Sequence, residues 1–272
     1  MIATTSESSL SSRQRIVEAT IRRVQADRSI PIPGQAPFEL KNCISAVEGE
    51  WLADLVAKTN PKRTLETGMG TGQSGAFICL GLLRAAEQHD STPGEHTAID
   101  PGQTGNFWRG AGLALRDQAG LTDILTHIGE PSEFVLPRMV AAAEKVQFAF
   151  IDANHRFEAA LLEFFYIDQL LPNGGVCVID DTDWPSVWRV VQFAIQHRGY
   201  EWIDALAVDR GPLTRPWGWK MRYRRWRQFR RQGWPTWDAV LRKPYHAVAL
   251  RKVKDDDRPE DFWMPLDGKV RL

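Results

Sequence analysis

The sequence predicts an α/β protein built on a mostly parallel sheet. Short apolar segments typical of strands alternate with longer segments typical of helices between residues 44 and 200. The runs FAFID and VCVID are continuously apolar and end in acids, as expected for central strands buried on both faces. Hydrophobic residues at 43% and charged residues at 25% are ordinary for a globular domain, which excludes a disordered or fibrous chain.

In chain order, an amphipathic helix at 13–27 is followed by the sequence SIPIPGQAP, whose prolines and glycine predict an extended linker. A helix at 44–60 comes next. Further helices are predicted at 72–88, 107–119, 131–144 and 156–171. The predicted strands are Arg63–Glu66, His96–Asp100, Leu125–Ile128, Val146–Asp152, Val176–Asp180, Glu201–Val208 and His246–Val253. We therefore expect an N-terminal helix and linker at 1–43 and one α/β domain at 44–272.

Three features bear on the cellular setting. No apolar run reaches 18 residues, which predicts no membrane span, and the first fifteen residues lack the pattern of a secretory signal. The three cysteines Cys43, Cys79 and Cys177 are too scattered for a disulfide framework or a zinc site. We expect a cytoplasmic protein without membrane partners, and its N-terminal helix leaves a homo-oligomer possible.

The charge is unevenly distributed although the formal net charge is zero. The basic, tryptophan-rich segment, residues 212–243, holds ten basic residues, one acid and five of the eleven tryptophans. We interpret it as an insertion between the last two predicted strands. It could cover an acceptor site, form a solvated basic helix anchored by its tryptophans, or bind nucleic acid, since phosphate contacts favour Arg-rich faces with aromatic residues.

Acids follow nearly every predicted strand. In open α/β sheets, ligands bind outside the carboxyl ends of the strands, so the chemistry is expected at this edge. A single acid in such a place would usually cap a helix or begin a loop. A full row repels itself unless a cation or a hydroxyl-rich ligand lies between its members. The row consists of Glu66, Asp100, Glu130, Asp152, Asp180 and Asp181.

A glycine-rich turn, Glu66-Thr-Gly68-Met-Gly70-Thr-Gly72-Gln-Ser-Gly75, follows the first strand of the alternation. Glycines allow a sharp turn and let a ligand approach the backbone. From Gly70 onwards the turn also matches the dinucleotide pattern G-x-G-x-x-G, so two cofactors compete for it. The carboxylate of Glu66 disfavours a pyrophosphate and favours a cationic ligand such as the methionine end of S-adenosylmethionine.

An acid followed by G-x-G-x-G resembles the first motif of the class I S-adenosylmethionine-dependent methyltransferases, and LETGMGTG fits it without a gap. The resemblance covers roughly residues 44–200 and implies a Rossmann-like methyltransferase fold, with a seven-stranded, mostly parallel sheet, helices on both faces and an antiparallel last strand. It also implies that Asp100 binds the ribose hydroxyls, and that Glu130 and Ser132 lie near adenine. The full cofactor-binding set that it implies is Glu66, Gly68, Gly70, Gly72, Ser74, Asp100, Glu130, Ser132 and Asp152.

The stretch from Asp152 to Asp181 predicts a cation site. Neighbouring parallel strands lie about 4.8 Å apart, so Asp152 at the end of one strand can converge with Asp180 and Asp181 at the end of the next. Mg²⁺ or Mn²⁺ suits such oxygen ligands. Consecutive strand residues face opposite ways, however, so Asp180 and Asp181 can share one ion only if the chain curls at the strand end.

This arrangement resembles the metal-dependent O-methyltransferases of the catechol and macrolide-sugar types. The resemblance implies that Asp152, Asp180 and Asp181 bind the metal and that His155 is the general base. The residue type supports this role, since an imidazole titrates near neutral pH. Of the six histidines, we expect only His155 at the ligand-binding edge. The alternative is that His155 merely caps the helix at 156–171 or pairs with Glu158.

The expected function is therefore methyl transfer from S-adenosylmethionine to a hydroxyl of a small molecule, with a divalent cation assisting. The sequence does not choose among a sugar, a catechol and another natural product as acceptor. Three other activities stay open: a metal-independent methyltransferase, a methyltransferase that acts on nucleic acid, and an NAD-dependent oxidoreductase that uses Gly70–Gly75 for pyrophosphate.

Overall fold

The fold is described from a computed structural model, which covers residues 4–41, 43–207 and 245–262, with only the backbone for residues 4–8. Helix α1, Thr4–Asp27, comes first, and two short strands, β1 (Ser29–Ile30) and β2 (Phe38–Glu39), pair antiparallel after it. The sequence predicted an extended linker here. Its first two residues form β1 and pair with β2 directly after it, with Ile30 opposite Phe38.

A seven-stranded sheet forms the centre of the molecule, in the order β5-β4-β3-β6-β7-β9-β8. The five strands from β3 to β7 run parallel, whereas β9 is antiparallel to both of its neighbours, β7 and β8. This confirms the predicted fold class, including the antiparallel last strand. The strands are β3 (Arg63–Thr67), β4 (Glu95–Ile99), β5 (Leu125–Ile128), β6 (Phe148–Ile151), β7 (Val176–Ile179), β8 (Tyr200–Ala207) and β9 (Tyr245–Lys252).

Helices cover both faces of the sheet. After α1, the helices are α2 (Ala46–Thr59), α3 (Gln73–Gln88), α4 (Ala111–Gln118), α5 (Ser132–Ala141), α6 (Phe157–Leu170) and α7 (Pro185–His197). Side chains of successive strand residues point to opposite faces, so Phe148 and Phe150 pack on the side of α1–α4, whereas Ala149 and Ile151 pack on the side of α5–α7.

The N-terminal helix is packed into the main core. Val17, Ile21 and Val24 of α1 are nearly inaccessible to solvent and belong to the same apolar cluster as Phe77 of α3. The N-terminal helix and the α/β domain thus share one apolar core. The domain boundary near residue 43 stays a prediction. Cys79 and Cys177 are buried free thiols, as small core residues would be.

Two predicted features can be compared only in part. The basic, tryptophan-rich segment at 212–243 lies outside the described residues, as does Val208 at the end of the predicted strand Glu201–Val208. Among the helices that the structure describes, none has the length and apolar character needed to cross a membrane.

Candidate active site

A cavity of about 1340 Å³ opens at the carboxyl edge of the parallel strands. Its wall is formed by the turn between β3 and α3, the loops after β4, β6 and β7, the starts of α2, α5 and β9, and one side of α6. It includes nine of the predicted site residues: Gly68, Gly70, Ser74, Asp100, Ser132, Asp152, His155, Asp180 and Asp181. The topology thus brings most of the predicted residues to one place.

The glycine-rich turn has the backbone conformation that its sequence predicts. Gly68, Gly70 and Gly72 all have positive φ angles, of 91°, 52° and 81°, which favour glycine. Gly68 is also needed for close approach, since a Cβ atom there would lie 2.2 Å from the carbonyl oxygen of Asp152. Gly72 is the N-cap of α3 and packs against α4 instead of lining the cavity, since a Cβ there would lie 2.9 Å from Gly112.

Asp100 fastens the turn from the neighbouring strand. Its Oδ2 accepts from the Gly70 amide at 2.7 Å and from Gln103 Nε2 at 3.2 Å, and its Oδ1 accepts from the Gly102 amide at 2.6 Å. The Gly70 amide already donates to the Asp100 carboxylate, and the negative charge of a carboxylate would repel a pyrophosphate placed beside it. This geometry argues against the dinucleotide interpretation of Gly70–Gly75.

Two further predicted cofactor residues lie away from the cavity. Glu66 is fully buried on the α3 side of the sheet, with Oε1 3.2 Å from Nε2 of His96, because its position in β3 turns it towards that face. Glu130 is about half exposed and pairs with Arg138 at 2.8 Å. Neither side chain lines the cavity, so the structure does not support the expected roles of Glu66 beside methionine and of Glu130 beside adenine.

Glu163 of α6 is a buried acid in the wall that the sequence did not single out. The hydroxyl of Ser132 donates to its Oε1 at 2.7 Å and that of Thr67 to its Oε2 at 3.0 Å. Burial raises the pKa of Glu163 to about 7. The sequence signal for Glu163 was its position in the predicted helix eight residues after His155, on the side of α6 that faces the sheet.

His155 lies beside two of the predicted metal ligands. Its Nε2 contacts Oδ2 of Asp181 at hydrogen-bonding range and lies 3.9 Å from Oδ1 of Asp152. The hydrogen bond with Asp181 raises the pKa of His155 above its ordinary value. Arg156, and not His155, occupies the N-cap of α6, so the alternative capping role of His155 is wrong.

A second histidine, His246, lies at the same edge, which the sequence analysis did not expect. Its Nε2 is 3.5 Å from Oδ1 of Asp180 and 3.6 Å from Oε2 of Glu48. Contacts with the Asp183 and Glu48 carboxylates raise the pKa of His246 to about 11. Because β9 runs antiparallel, its first residues lie at the edge where the parallel strands end. The expected antiparallel direction of the last strand was therefore a signal that could have identified His246.

The three predicted metal ligands divide into two groups. Asp181 has a positive φ of 50°, so the chain does curl at the end of β7. The curl places Asp181 with Asp152 and His155, while Asp180 lies with Glu48 and His246. The two groups meet at His246, whose Nδ1 lies 3.8 Å from Oδ1 of Asp181. Burial, followed by the neighbouring carboxylates, raises the pKa of both Asp152 and Asp180. A positive charge at this edge would therefore be stabilised.

Comparison with known sequences gives two matches. The family model of a methyltransferase domain matches residues 65–182. A caffeoyl-CoA O-methyltransferase from Populus kitakamiensis is 31% identical over 147 residues, which is 50% of this chain and 54% of the plant protein. The alignment thus spans about half the length of that relative.

Comparison with solved structures concerns the fold. An O-methyltransferase from Bacillus cereus in complex with SAH has a TM-score of 0.57 at 16% identity, over 88% of this chain and 91% of the other. The O-methyltransferase TomG from Streptomyces achromogenes, involved in tomaymycin synthesis and in complex with SAM, has a TM-score of 0.54 at 15% identity, over 88% and 89%.

These findings agree with the glycine turn, the Asp100 geometry and the order of the sheet. They confirm the resemblance to methyltransferases that LETGMGTG indicated. Residues 65–182 are therefore similar to a methyltransferase domain, in a chain that has the Rossmann-like methyltransferase fold.

Proposed function

We propose that this protein transfers a methyl group from S-adenosylmethionine to a hydroxyl of a small molecule, assisted by a divalent cation. One observation carries the proposal: His155, hydrogen-bonded to Asp181, faces the same cavity as the glycine turn and Asp100. A base and a cofactor cradle in one cavity are what transfer to a hydroxyl needs.

The cofactor fits the residues at the β3 and β4 ends of the cavity. The turn at Gly68 and Gly70 leaves backbone exposed to a ligand, and a Cβ at Gly70 would approach nothing closer than 3.5 Å. Asp100 keeps acceptor capacity for a ribose hydroxyl at Oδ1, because its three hydrogen bonds use both lone pairs of Oδ2 and only one of Oδ1. When bound, S-adenosylmethionine supplies an activated methyl group on its sulfonium.

The cation fits Asp152 and Asp181, which offer two carboxylates at the cavity wall. Their repulsion, together with burial, raises the pKa of Asp152, and a divalent ion would relieve that cost. Mg²⁺ commonly takes one or two carboxylates and keeps other positions for water or substrate. There it would lower the pKa of an acceptor hydroxyl.

His155 would take the proton of that hydroxyl at Nδ1, while Asp181, which accepts from Nε2, holds the ring and stabilises the resulting imidazolium. Trp184, 43% exposed with its ring 5.3 Å from that of His155, offers a flat apolar surface beside the base. A sugar or an aromatic ring would pack against it, so we propose an acceptor of this kind.

The activity can be tested directly by mass spectrometry. The protein is incubated with S-adenosylmethionine and a panel of catechols, hydroxylated aromatics and deoxysugars, with Mg²⁺ and with EDTA. We expect one added methyl group on an acceptor with Mg²⁺, loss of the product with EDTA and recovery when Mg²⁺ or Mn²⁺ is returned. Full turnover after exhaustive chelation would contradict the role of the cation and favour a metal-independent methyltransferase.

Replacement of His155 tests the base. His155→Ala should lower kcat by roughly 10²–10⁴-fold, the usual contribution of a general base, and leave S-adenosylmethionine affinity unchanged. Because the base must be neutral, kcat/KM of the wild type should rise with pH through a midpoint above 6.5, the ordinary pKa of histidine. The matched control is His89→Ala, which removes an exposed imidazole at the end of α3. A loss of less than tenfold in His155→Ala would contradict the assignment.

A further inference from the structure

Trp108, in the connection between β4 and α4, lines the cavity and has no part in the proposed function so far. Its indole lies beside two glycines. A Cβ atom at Gly70 would lie 3.5 Å from Cζ2 of Trp108, and one at Gly102 would lie 2.6 Å from Cδ1. Asp100 accepts hydrogen bonds from the amides of the same two glycines. The indole and this carboxylate therefore belong to one part of the cavity wall.

Aromatic neighbours hold the indole in place. Its ring centroid lies 6.0 Å from that of Phe38, the first residue of β2, and 4.6 Å from that of Phe107. The guanidinium of Arg109 packs over the Phe38 ring, 5.5 Å from its centroid. Trp108 also packs against the main core and is only partly accessible to solvent. A side chain that is fixed in this way before a ligand arrives loses little conformational freedom on binding.

Trp108 bounds the space in which a ligand would reach Asp100. The buried side chain of Gln103 donates to Oδ2 of Asp100 at 3.2 Å and to the carbonyl of Gly70 at 2.7 Å, so the carboxylate is fixed as well. Only van der Waals room remains between Gly70 and the indole, so a ligand group that enters there contacts the ring. An apolar ring also keeps water away from the carboxylate, which strengthens a hydrogen bond to it. An acceptor for a hydroxyl beside a flat apolar surface suits a nucleoside.

We propose that Trp108 is a specificity-determining residue that packs against the nucleoside of the cofactor, whose ribose is bound at Asp100. This inference rests on the proposed function, because it takes S-adenosylmethionine as the ligand of the cavity. Adenosine carries the same nucleoside but no methionine. Loss of the indole should therefore weaken the binding of both ligands by the same factor, whereas loss of a contact with the methionine alone would not affect adenosine.

Calorimetry on the full chain, without acceptor or metal, tests this contact. Trp108→Ala should weaken the binding of S-adenosylmethionine and of adenosine by at least about tenfold each, the scale of a base stacked on an aromatic ring. Trp108→Phe keeps a flat ring, so both affinities should stay within about threefold of wild type. The matched control is Trp51→Ala, which removes another partly buried indole of the same core cluster, one that does not line the cavity. It should leave both affinities unchanged.

A crystal structure of the unmodified protein with S-adenosylmethionine provides a second measurement, in case Trp108→Ala does not fold. The indole should lie within about 4.5 Å of atoms of the ribose or the adenine. Wild-type affinities in Trp108→Ala, a loss for S-adenosylmethionine that adenosine does not share, or a bound cofactor that the indole does not touch would each overturn the inference and leave the proposed function intact. A wild-type chain that binds neither ligand would contradict both. Absence of methyl transfer with the binding results intact would contradict the proposed function alone.

Discussion

At the end of β7, backbone geometry decides which way each acid faces. Asp180 and Asp181 are consecutive, and the left-handed conformation of Asp181 turns its carboxylate towards His155 while Asp180 stays directed at His246. Both acids lie near His246, but only Asp181, which is partly exposed, also contacts the proposed base, whereas Asp180 is buried. The sequence analysis expected both acids to bind one cation.

Asp100 offers a test of cofactor recognition at the residue scale. Asp100→Ala removes the predicted acceptors for the ribose hydroxyls and also frees the Gly70 and Gly102 amides. We expect calorimetry to show S-adenosylmethionine affinity reduced by on the order of 2–3 kcal/mol, the scale of charged hydrogen bonds. Glu95→Ala, at the exposed opposite end of β4, is the control and should change nothing. Unchanged affinity in Asp100→Ala would contradict the ribose assignment.

Glu163 predicts a pH dependence of stability. Burial raises its pKa to about 7 in the folded chain, against an ordinary value of 4.5. As pH rises between these values, the unfolded chain releases this proton first, so the free energy of unfolding falls and stays lower above pH 7.

Glu163→Gln removes this titration. Relative to wild type, the variant should gain on the order of 2 kcal/mol between pH 5 and pH 8 in urea unfolding. Glu133→Gln, at an exposed site in the first turn of α5, should show no such gain. A Glu163→Gln variant whose difference from wild type is the same at both pH values would mean that Glu163 is ionised in the folded chain throughout.

At the scale of elements, the strands were predictable because burial on both faces produces continuous apolar runs. FAFI and VCVI are strands β6 and β7, each ending one residue before its acid. What the sequence could not provide was the facing of individual side chains. Glu66 looked like a cofactor residue from its spacing, but the register of β3 turns it to the opposite side. His246 was missed although an antiparallel last strand was expected, because the start of that strand was not considered as part of the active edge.

The packing of α1 can be tested by comparing two isoleucines of that helix. Ile21 is 3% exposed in the main core, whereas Ile16 is 50% exposed. Ile21→Ala should lower the free energy of unfolding by about 2–4 kcal/mol, with a single cooperative transition, because it leaves a cavity in the shared core. Ile16→Ala should cost less than about 0.5 kcal/mol. Equal, small effects in denaturant titrations would mean that α1 is a separate appendage.

For the whole molecule, the charge distribution sets the basic, tryptophan-rich segment apart from an acidic remainder. That segment, residues 212–243, lies outside the described residues, but its connections are placed. Ala207 and Tyr245 are paired across β8 and β9, and His246, next in the chain, lines the cavity. The chain therefore leaves the sheet and returns to it beside the proposed acceptor position.

This placement defines a deletion that tests the three interpretations of the segment. Because Ala207 and Tyr245 are partners in the ladder, a short glycine-containing turn can replace residues 209–243 without separating the strands. If the segment contributes to acceptor binding, the deletion should raise the acceptor KM at least tenfold and leave S-adenosylmethionine affinity within twofold of wild type. Nucleic-acid binding by the full chain that weakens steeply with salt and disappears in the deletion would instead favour a nucleic-acid surface. KM for the acceptor, cofactor affinity and salt-dependent RNA binding should therefore be measured on both the full chain and the deletion variant. Unchanged acceptor kinetics without any nucleic-acid binding would mean that the arginines and tryptophans of the segment serve the fold alone.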